Sequence, residues 1–591
     1  MSTVTQLICN RFGGIRHRNS SFSDELISAS DIQNVELYYT GINGGVGIRT
    51  MKGNLAINET LKDSERIINI FQSVQQETTF FLVYTETIAD SDVVGRFYIY
   101  DKTADTLTLK KDNIEPSGVC NGFDVAQGYS DLFFFTNGKE MFTIETGLNQ
   151  TLYAYVYDSH IIYADSATTP TVLYTSNGEV YTGTDWEIDN GTVKYDSNSA
   201  TYTSASDTTT DTIIKNMSLV DRNGDTVLGL GAALFNNRLF IFNKNVLWYS
   251  VTANIYDFAT YGDEWKTSAG YIETTKNITA IYEYLGSLAV FYKDSSQLLT
   301  VSNGDFALGD DSPGGCANYN SLVFHGTDLY FYDDTKKGVF AFQQVVNGDK
   351  TLSDNLAVDI QEELINIDSD NLDKIKTLSV VLSERNEVWW ILPTTDTYEV
   401  KTESGGTVTT TQKPASKILI YDYLKGEWVK RKSQKINAVR VIDNELYSAG
   451  DNGCIFQEYS SNLFNGDYIP HHYNCSPMNL GANNTLKILV LQPRVSFNMP
   501  YSNTFKVKYV KNYNTFKKPK IKQIKTKYKN VLIWGQGYWG QDYFASVNTS
   551  SIGKFPNANF KVLEIILFTD DKTQNFSIKN IEFSKIKVKQ I

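Results

Sequence analysis

Short apolar runs broken by polar turns, repeated along most of the chain, predict an all-β protein: a β-propeller with inserted hairpins plus a C-terminal β-sandwich domain. The first observation is residues 232–259 (AALFNNRLFIFNKNVLWYSVTANIYDFA). Asn236 and Asn237 separate two apolar runs there, and Asn243, Lys244 and Asn245 precede a third. Two polar breaks between short runs, the first only two residues long, describe a β-meander. The second observation is repetition: residues 131–144, 285–301, 328–342 and 387–428 keep the same order of strand, polar turn and strand, often ending on an aromatic. Regularly spaced strands with turn signals between them mark a propeller, sandwich or barrel. The third is composition, since 37 Tyr and 32 Phe stand against only 11 Pro, and Tyr and Phe suit a pleated, half-buried surface.

Taken in order, residues 1–60 read as an irregular lead-in. The pair Gly13-Gly14 admits a positive φ and a tight turn, residues 29–39 a helical turn entering a strand, and the glycines of 40–53 a pair of short strands. Propeller repeats begin in residues 61–157, where 80–84 (FFLVY), 96–100 (RFYIY) and 106–109 form a first unit and 123–144 opens a second. Residues 158–215, rich in Ser and Thr with Asn-Gly pairs at Asn177-Gly178 and Asn190-Gly191, read as inserted β-hairpins emerging from one face. The remaining repeats fill 216–466, as six or seven units in all according to how 387–428 and 439–459 divide. Within them, 353–367 has helical spacing: Leu356, Ile360, Leu364 and Ile367 share a face, and Ser353 or Asp354 supplies a cap. Residues 467–591 change style, with strands at 486–495, 504–510, 531–534 and 560–568 of a separate basic sandwich.

With 591 residues, 41% hydrophobic and 20% charged, the chain has the composition of a globular protein that buries a core. Its five cysteines, Cys9, Cys120, Cys316, Cys454 and Cys475, are widely spaced without a CxxC, which excludes a disulfide scaffold and suits free thiols in a reducing cytoplasm. The N-terminal residues lack the basic-then-apolar order of a secretory signal, and no apolar run reaches about 18 residues, so no membrane segment is expected. Charge is asymmetric. Residues 481–591 hold 19 Lys and Arg against 5 Asp and Glu, a balance of +14; with −13 for the whole chain, residues 1–480 carry −27.

Residue types of a catalytic or metal centre do not gather at working spacings. Of His17, His160, His325, His471 and His472, only the last two are close, with Cys475, at a spacing that matches no common zinc pattern and reads as loop or surface. Asp368, Asp370 and Asp373 offer hard oxygens for calcium but lack the Gly and closing Glu of an EF-hand loop, and read as a solvated helix-terminal loop. Residues 176–186 fall short of a sialidase Asp-box turn, and neither G-x-S-x-G nor a P-loop is present. Neither enzyme activity nor a cofactor is expected. The ribbon at 506–529 instead interleaves Lys506, Lys508, Lys517, Lys518, Lys520, Lys522, Lys525, Lys527 and Lys529 with Tyr, Phe and Ile. Three readings stay open for it: phosphate contact, an alternating strand pair with Lys on its solvent face, and docking on an acidic neighbour such as another copy.

The wording of the central unit, FNNRLFIF at 235–242, VLWYS at 246–250 and NIYDFA at 254–259, resembles the propeller of tail nozzle proteins of short-tailed, podovirus-like bacteriophages. That family includes tail-hub and packaged-DNA stabilisation proteins. Phe12-Gly13-Gly14-Ile15, followed by Glu36-Leu37 and a Gly-rich turn into Arg49, is similar to their opening, and the string Trp534-Gly535-Gln536-Gly537-Tyr538-Trp539-Gly540 to their late Trp-rich repeats. The long insertion and the strongly basic C-terminal part depart from the family. The resemblance implies a structural virion protein of the tail, assembled in the host cytoplasm as a homo-oligomeric six-fold ring. Such a ring lies below the portal and adaptor rings, continues the channel for double-stranded DNA, helps retain the genome and gate its ejection, and carries tail fibres or spikes. An acidic wall lets a duplex slide without sticking, and opposite charge on two parts of one protomer suits the heterologous contact of a ring. Residues 158–215 and 394–414 are the gate candidates, with outward hairpins as the other reading of each. The alternative function is a glycan-binding propeller that recognises a receptor without catalysis.

Overall fold

Asn236 and Asn237 take φ of +50° and +55°, the left-handed pair that closes a two-residue hairpin while matching the twist of its strands. Their turn joins Gly231–Phe235 to Arg238–Asn243, and the sheet continues antiparallel through Val246–Tyr249 and Gly270–Glu273. This four-stranded meander recurs around a ring, so the fold is a seven-bladed β-propeller. Blade 1 starts at Glu65–Gln75, blade 2 at Asn121–Gln127, blade 3 at Gly231–Phe235, blade 4 at Ile278–Tyr284, blade 5 at Leu322–His325, blade 6 at Leu378–Leu382 and blade 7 at Ala438–Ile442. The stretches 387–428 and 439–459 belong to separate blades, 6 and 7. The computed structural model describes residues 6–584 apart from short stretches, the longest being 17–25, 165–172, 366–376, 479–487, 512–519 and 527–548, and little beyond the backbone for 147–211.

The second strand of a blade is covered on both faces by the neighbouring blades, so it reads as a continuous apolar run and not an alternating one. Every residue of Ser287–Tyr292 and of Glu387–Leu392 is buried. Between blades the aromatics interlock. Phe71, Phe97, Phe133, Phe135 and Phe142 fill the seam of blades 1 and 2, with Phe135 and Phe142 stacked at 4.5 Å, and Phe291, Phe331, Phe340 and Phe342 fill that of blades 4 and 5. Each such ring buries about 150–250 Å², which accounts for the abundance of Phe and Tyr.

Ring closure is non-local. Gly53–Asn58, from the start of the chain, pairs antiparallel with Ile455–Ser461 and becomes the fourth strand of blade 7. The expected lead-in is therefore not irregular. Arg11–Ile15, Leu26–Gln33, Val35–Tyr39 and Val46–Thr50 are strands, and they share a nine-stranded sheet with His472–Cys475, Leu563–Phe568, Asn503–Lys511, Lys520–Thr526 and Ser577–Ile578. A second sheet joins Gln6–Cys9, Asn580–Ser584, Arg494–Met499 and Thr549–Lys554. Both ends of the chain thus build the sandwich, which packs on the outer strand of blade 6, Glu427–Gln434.

Two local expectations change for a physical reason. Gly14 lies in the extended strand Arg11–Ile15 and not in a turn; a Cβ there would sit 2.3 Å from the carbonyl oxygen of Trp428, so glycine serves the close approach of two backbones. The helix at 353–367 shortens to a 3₁₀ turn at Val358–Ile360 and an α-helix at Gln361–Ile365. Ser353 and Leu356 instead donate their N–H groups to the carbonyls of Ala341 and Val339, because the edge of blade 5 offers partners that an isolated first turn lacks. No side chain caps the 3₁₀ turn; Asn355 makes an Asx turn before it, its Oδ1 accepting from the Ala357 N–H at 2.9 Å.

Candidate functional site

The inner strands of all seven blades line one cavity of about 540 Å³ along the propeller axis. Its wall spans about four residues per strand, roughly 15 Å at the usual strand rise, so the bore averages under about 10 Å. That admits a small molecule but not a duplex, whose major groove alone is about 12 Å wide. Phe123, Leu234, Phe324 and Val381 make the lumen partly apolar, and Gln72, Tyr282, Glu283 and Arg440 interrupt them. Arg440 belongs to blade 7 yet is electrostatically coupled to Asp124 of blade 2 and Tyr282 of blade 4, so its guanidinium reaches in from the wall toward the axis. Desolvation by that wall lowers its pKa from the ordinary arginine value, although an arginine stays charged at any working pH.

A second cavity of about 430 Å³ opens at the face where the inner strands begin, and it shares Leu378 with the lumen. Its cations are held. Arg66 Nη2 lies 2.6 Å from Glu86 Oε2 and Lys139 Nζ 2.9 Å from Glu115 Oε1.

No family model and no curated protein matches the sequence. Solved structures do. Kluyveromyces lactis Hsv2 is similar at 11% identity with a TM-score of 0.24, over 63% of this chain and 98% of its own. An exo-β-1,3-galactanase from Phanerochaete chrysosporium is similar at 8% identity and a TM-score of 0.21, over 62% and 98%. Likeness at this level says nothing of activity or ligand.

The lysine ribbon lies at one edge of the nine-stranded sheet, where Asn503–Lys511 pairs with Lys520–Thr526. Phe505, Val507 and Tyr509 are buried while Lys506 and Lys508 alternate with them on the outer face. Lys506 pairs with Asp570. Burial raises the pKa of Glu564, and the charge of Lys508 opposes that rise. Lys520, Lys522 and Lys525 are on the edge strand without described side chains, and Lys517, Lys518, Lys527 and Lys529 lie outside the described residues, as do Asp368, Asp370, Asp373 and residues 534–540.

The two gate candidates leave the propeller on opposite faces. Met141–Tyr157 and Ala200–Asn216 pair within blade 2 and continue, still paired, past the end where the inner strands finish. Hairpins follow at Leu173–Thr175 with Val180–Tyr181 and at Trp186–Asp189 with Thr192–Tyr195, their Asn-Gly turns outside the described residues. The second candidate, Thr397–Ser404 with Thr407–Asp422, rises from blade 6 on the face where the inner strands begin. Its base is tied down by Tyr398 Oη and Lys413 Nζ, each 2.9 Å from Asp467 Oδ2.

His471 is a loop residue, though not at the surface, and His472 opens the strand His472–Cys475. His471 is buried, with Nδ1 3.2 Å from Thr569 Oγ1 and Nε2 3.3 Å from the Met51 carbonyl, and His472 Nε2 lies 2.7 Å from Asp31 Oδ2. Cys475 is buried and in no disulfide. Among the described residues, no three His, Cys, Asp or Glu side chains group to hold a metal. What sequence reading missed is the lumen. Its signal is a lone polar residue in the first strand of a repeat, as Arg440 stands in AVRVI.

Proposed function

We propose that this protein is a structural, non-catalytic component of the tail of a short-tailed bacteriophage: a nozzle subunit that forms a six-fold ring below the portal and adaptor. It continues the DNA channel, helps retain and release the genome, and anchors fibres or spikes. The observation that carries this reading is the attachment of a basic sandwich to the outer edge of an acidic propeller. Residues 1–50, which join the sandwich, hold four Arg against four Asp and Glu, so the +14 of residues 481–591 and the −27 of residues 51–480 then face different neighbours, as a head-to-tail ring contact requires. The resemblance of the central blade to nozzle propellers supports the same reading. Because the propeller lumen is too narrow for a duplex, DNA in this scheme passes between protomers, along the axis of the ring.

Electron-microscope class averages of the isolated assembly test it. A six-fold ring with an axial hole is expected, and charge reversal at Lys517, Lys518, Lys520 and Lys522 is expected to weaken ring assembly most at low salt. Single propellers isolated from mature particles overturn the proposal and favour the glycan-binding alternative.

A further inference from the structure

We propose that the propeller lumen is a binding site for a small organic carboxylate, held by Arg440, Gln72 and Tyr282. These three line one cavity of about 540 Å³ from blades 7, 1 and 4, within the usual range for small-molecule sites. Among the described residues, no ion pair or hydrogen bond engages the Arg440 guanidinium, the Gln72 amide or the Tyr282 hydroxyl, although the charged groups around them are occupied. Asp124, the nearest acid in charge terms, accepts from Ser73 Oγ at 2.6 Å and from the Val74 N–H at 2.8 Å. Glu283 Oε1 accepts from the Gly286 N–H at 3.1 Å, in the turn of its own blade.

Arg440 is exposed on the lumen wall as a cation without a bonded counter-ion among the described residues, whereas Arg66 and Lys139 of the second cavity are paired. A guanidinium offers two parallel N–H groups to a carboxylate, and the Gln72 amide and Tyr282 hydroxyl add donors around the same anion. Tyr282 and Phe324, with ring centroids 6.3 Å apart at 35°, give a flat apolar surface beside it. The ligand expected is therefore anionic at one end and planar or apolar at the other. This inference is independent of the nozzle reading, because it concerns the hole within one propeller and not the hole of a ring.

Titration calorimetry of the full chain with benzoate, and with benzamide as its neutral counterpart, tests the proposal. Benzoate is expected to bind at least about tenfold more tightly than benzamide. Arg440→Met is expected to lower benzoate affinity about tenfold or more and leave benzamide unchanged, and Gln72→Leu to lower benzoate affinity a few-fold. Equal binding of the two probes, unchanged benzoate affinity in Arg440→Met, or no binding of benzoate at about 10 mM overturns it. The ratio of the two probes is measured on the unaltered protein, so the test stands even if the arginine variant fails to fold.

Discussion

His471 is held as a neutral imidazole by its surroundings. Its Nε2 hydrogen donates to the Met51 carbonyl, leaving Nδ1 to accept from Thr569 Oγ1, and burial depresses its pKa to about 4. The unfolded chain, with an ordinary imidazole near 6.5, takes up this proton first as pH falls. Stability from this group is thus fully present above about pH 6.5 and is lost between there and pH 4, by roughly 3 kcal/mol. His471→Gln removes the titration, and its melting temperature is expected to fall less than that of the unaltered protein between pH 7 and 5, as read by calorimetry. Equal losses would assign the acid sensitivity elsewhere. Asp31 does not compete in that window. Burial pushes its pKa up, but the hydrogen bond from His472 and the charge of Lys430 outweigh burial and hold it well below the usual carboxylate range, so its contribution persists until more acid conditions.

At the scale of elements, the seam between sandwich and propeller is a chain of buried charge and close backbone. Glu36 of the sandwich pairs with Arg49 and with Arg385 of blade 6. Arg385 Nε also donates to Glu387 at 3.1 Å, and Glu387 accepts from Trp389 Nε1 at 2.9 Å and Tyr459 Oη at 2.6 Å. Beside them Arg431 and Glu458 form an ion pair with both side chains 0% exposed; Arg431 also donates to the Lys52 carbonyl, and Glu458 accepts from Asn54. Breaking such a pair costs about 3–5 kcal/mol by leaving one charge uncompensated, so these residues fix where the closing strand Gly53–Asn58 enters blade 7. Gly14 supplies the steric half of the seam. Its N–H donates to Glu427 Oε2 at 2.7 Å while its α-carbon faces the Trp428 backbone. Gly14→Val is expected to cost about 3 kcal/mol and to split thermal unfolding into separate sandwich and propeller transitions. A single unshifted transition would mean that the seam yields without loss.

At the scale of the whole molecule, the propeller is complete without its long insertion. Blade 2 is paired through Thr143 with Lys215 and Thr146 with Thr212, whose hydroxyls lie 2.9 Å apart, before the strands leave the blade. Replacing residues 147–211 by an Asn-Gly turn is expected to leave the melting temperature within about 3 °C. A collapse in calorimetry would show that the insertion supports the ring of blades. If it is instead the gate of a nozzle, the deletion leaves the six-fold ring intact and changes only the density across its axial hole.

Much of the fold is legible from the residues in order. Two-residue turns such as Asn236-Asn237 and second strands with an unbroken apolar run, such as the LAVFY of 288–292, announce blades, because hairpin register and two-sided burial are local properties that leave local patterns. The alternation of Lys506 and Lys508 with Phe505, Val507 and Tyr509 is legible for the same reason. The tertiary structure alone decided the rest: that Gly53–Asn58 closes blade 7, that strands from both ends of the chain share a sheet, that Gly14 serves a backbone contact, and that Gln72, Tyr282 and Arg440 meet in one lumen. Each of these joins residues far apart in the chain, and a pairing across such a distance leaves no period in the sequence. Which partners meet is selected by the closure of the ring, which brings the first and last blades together.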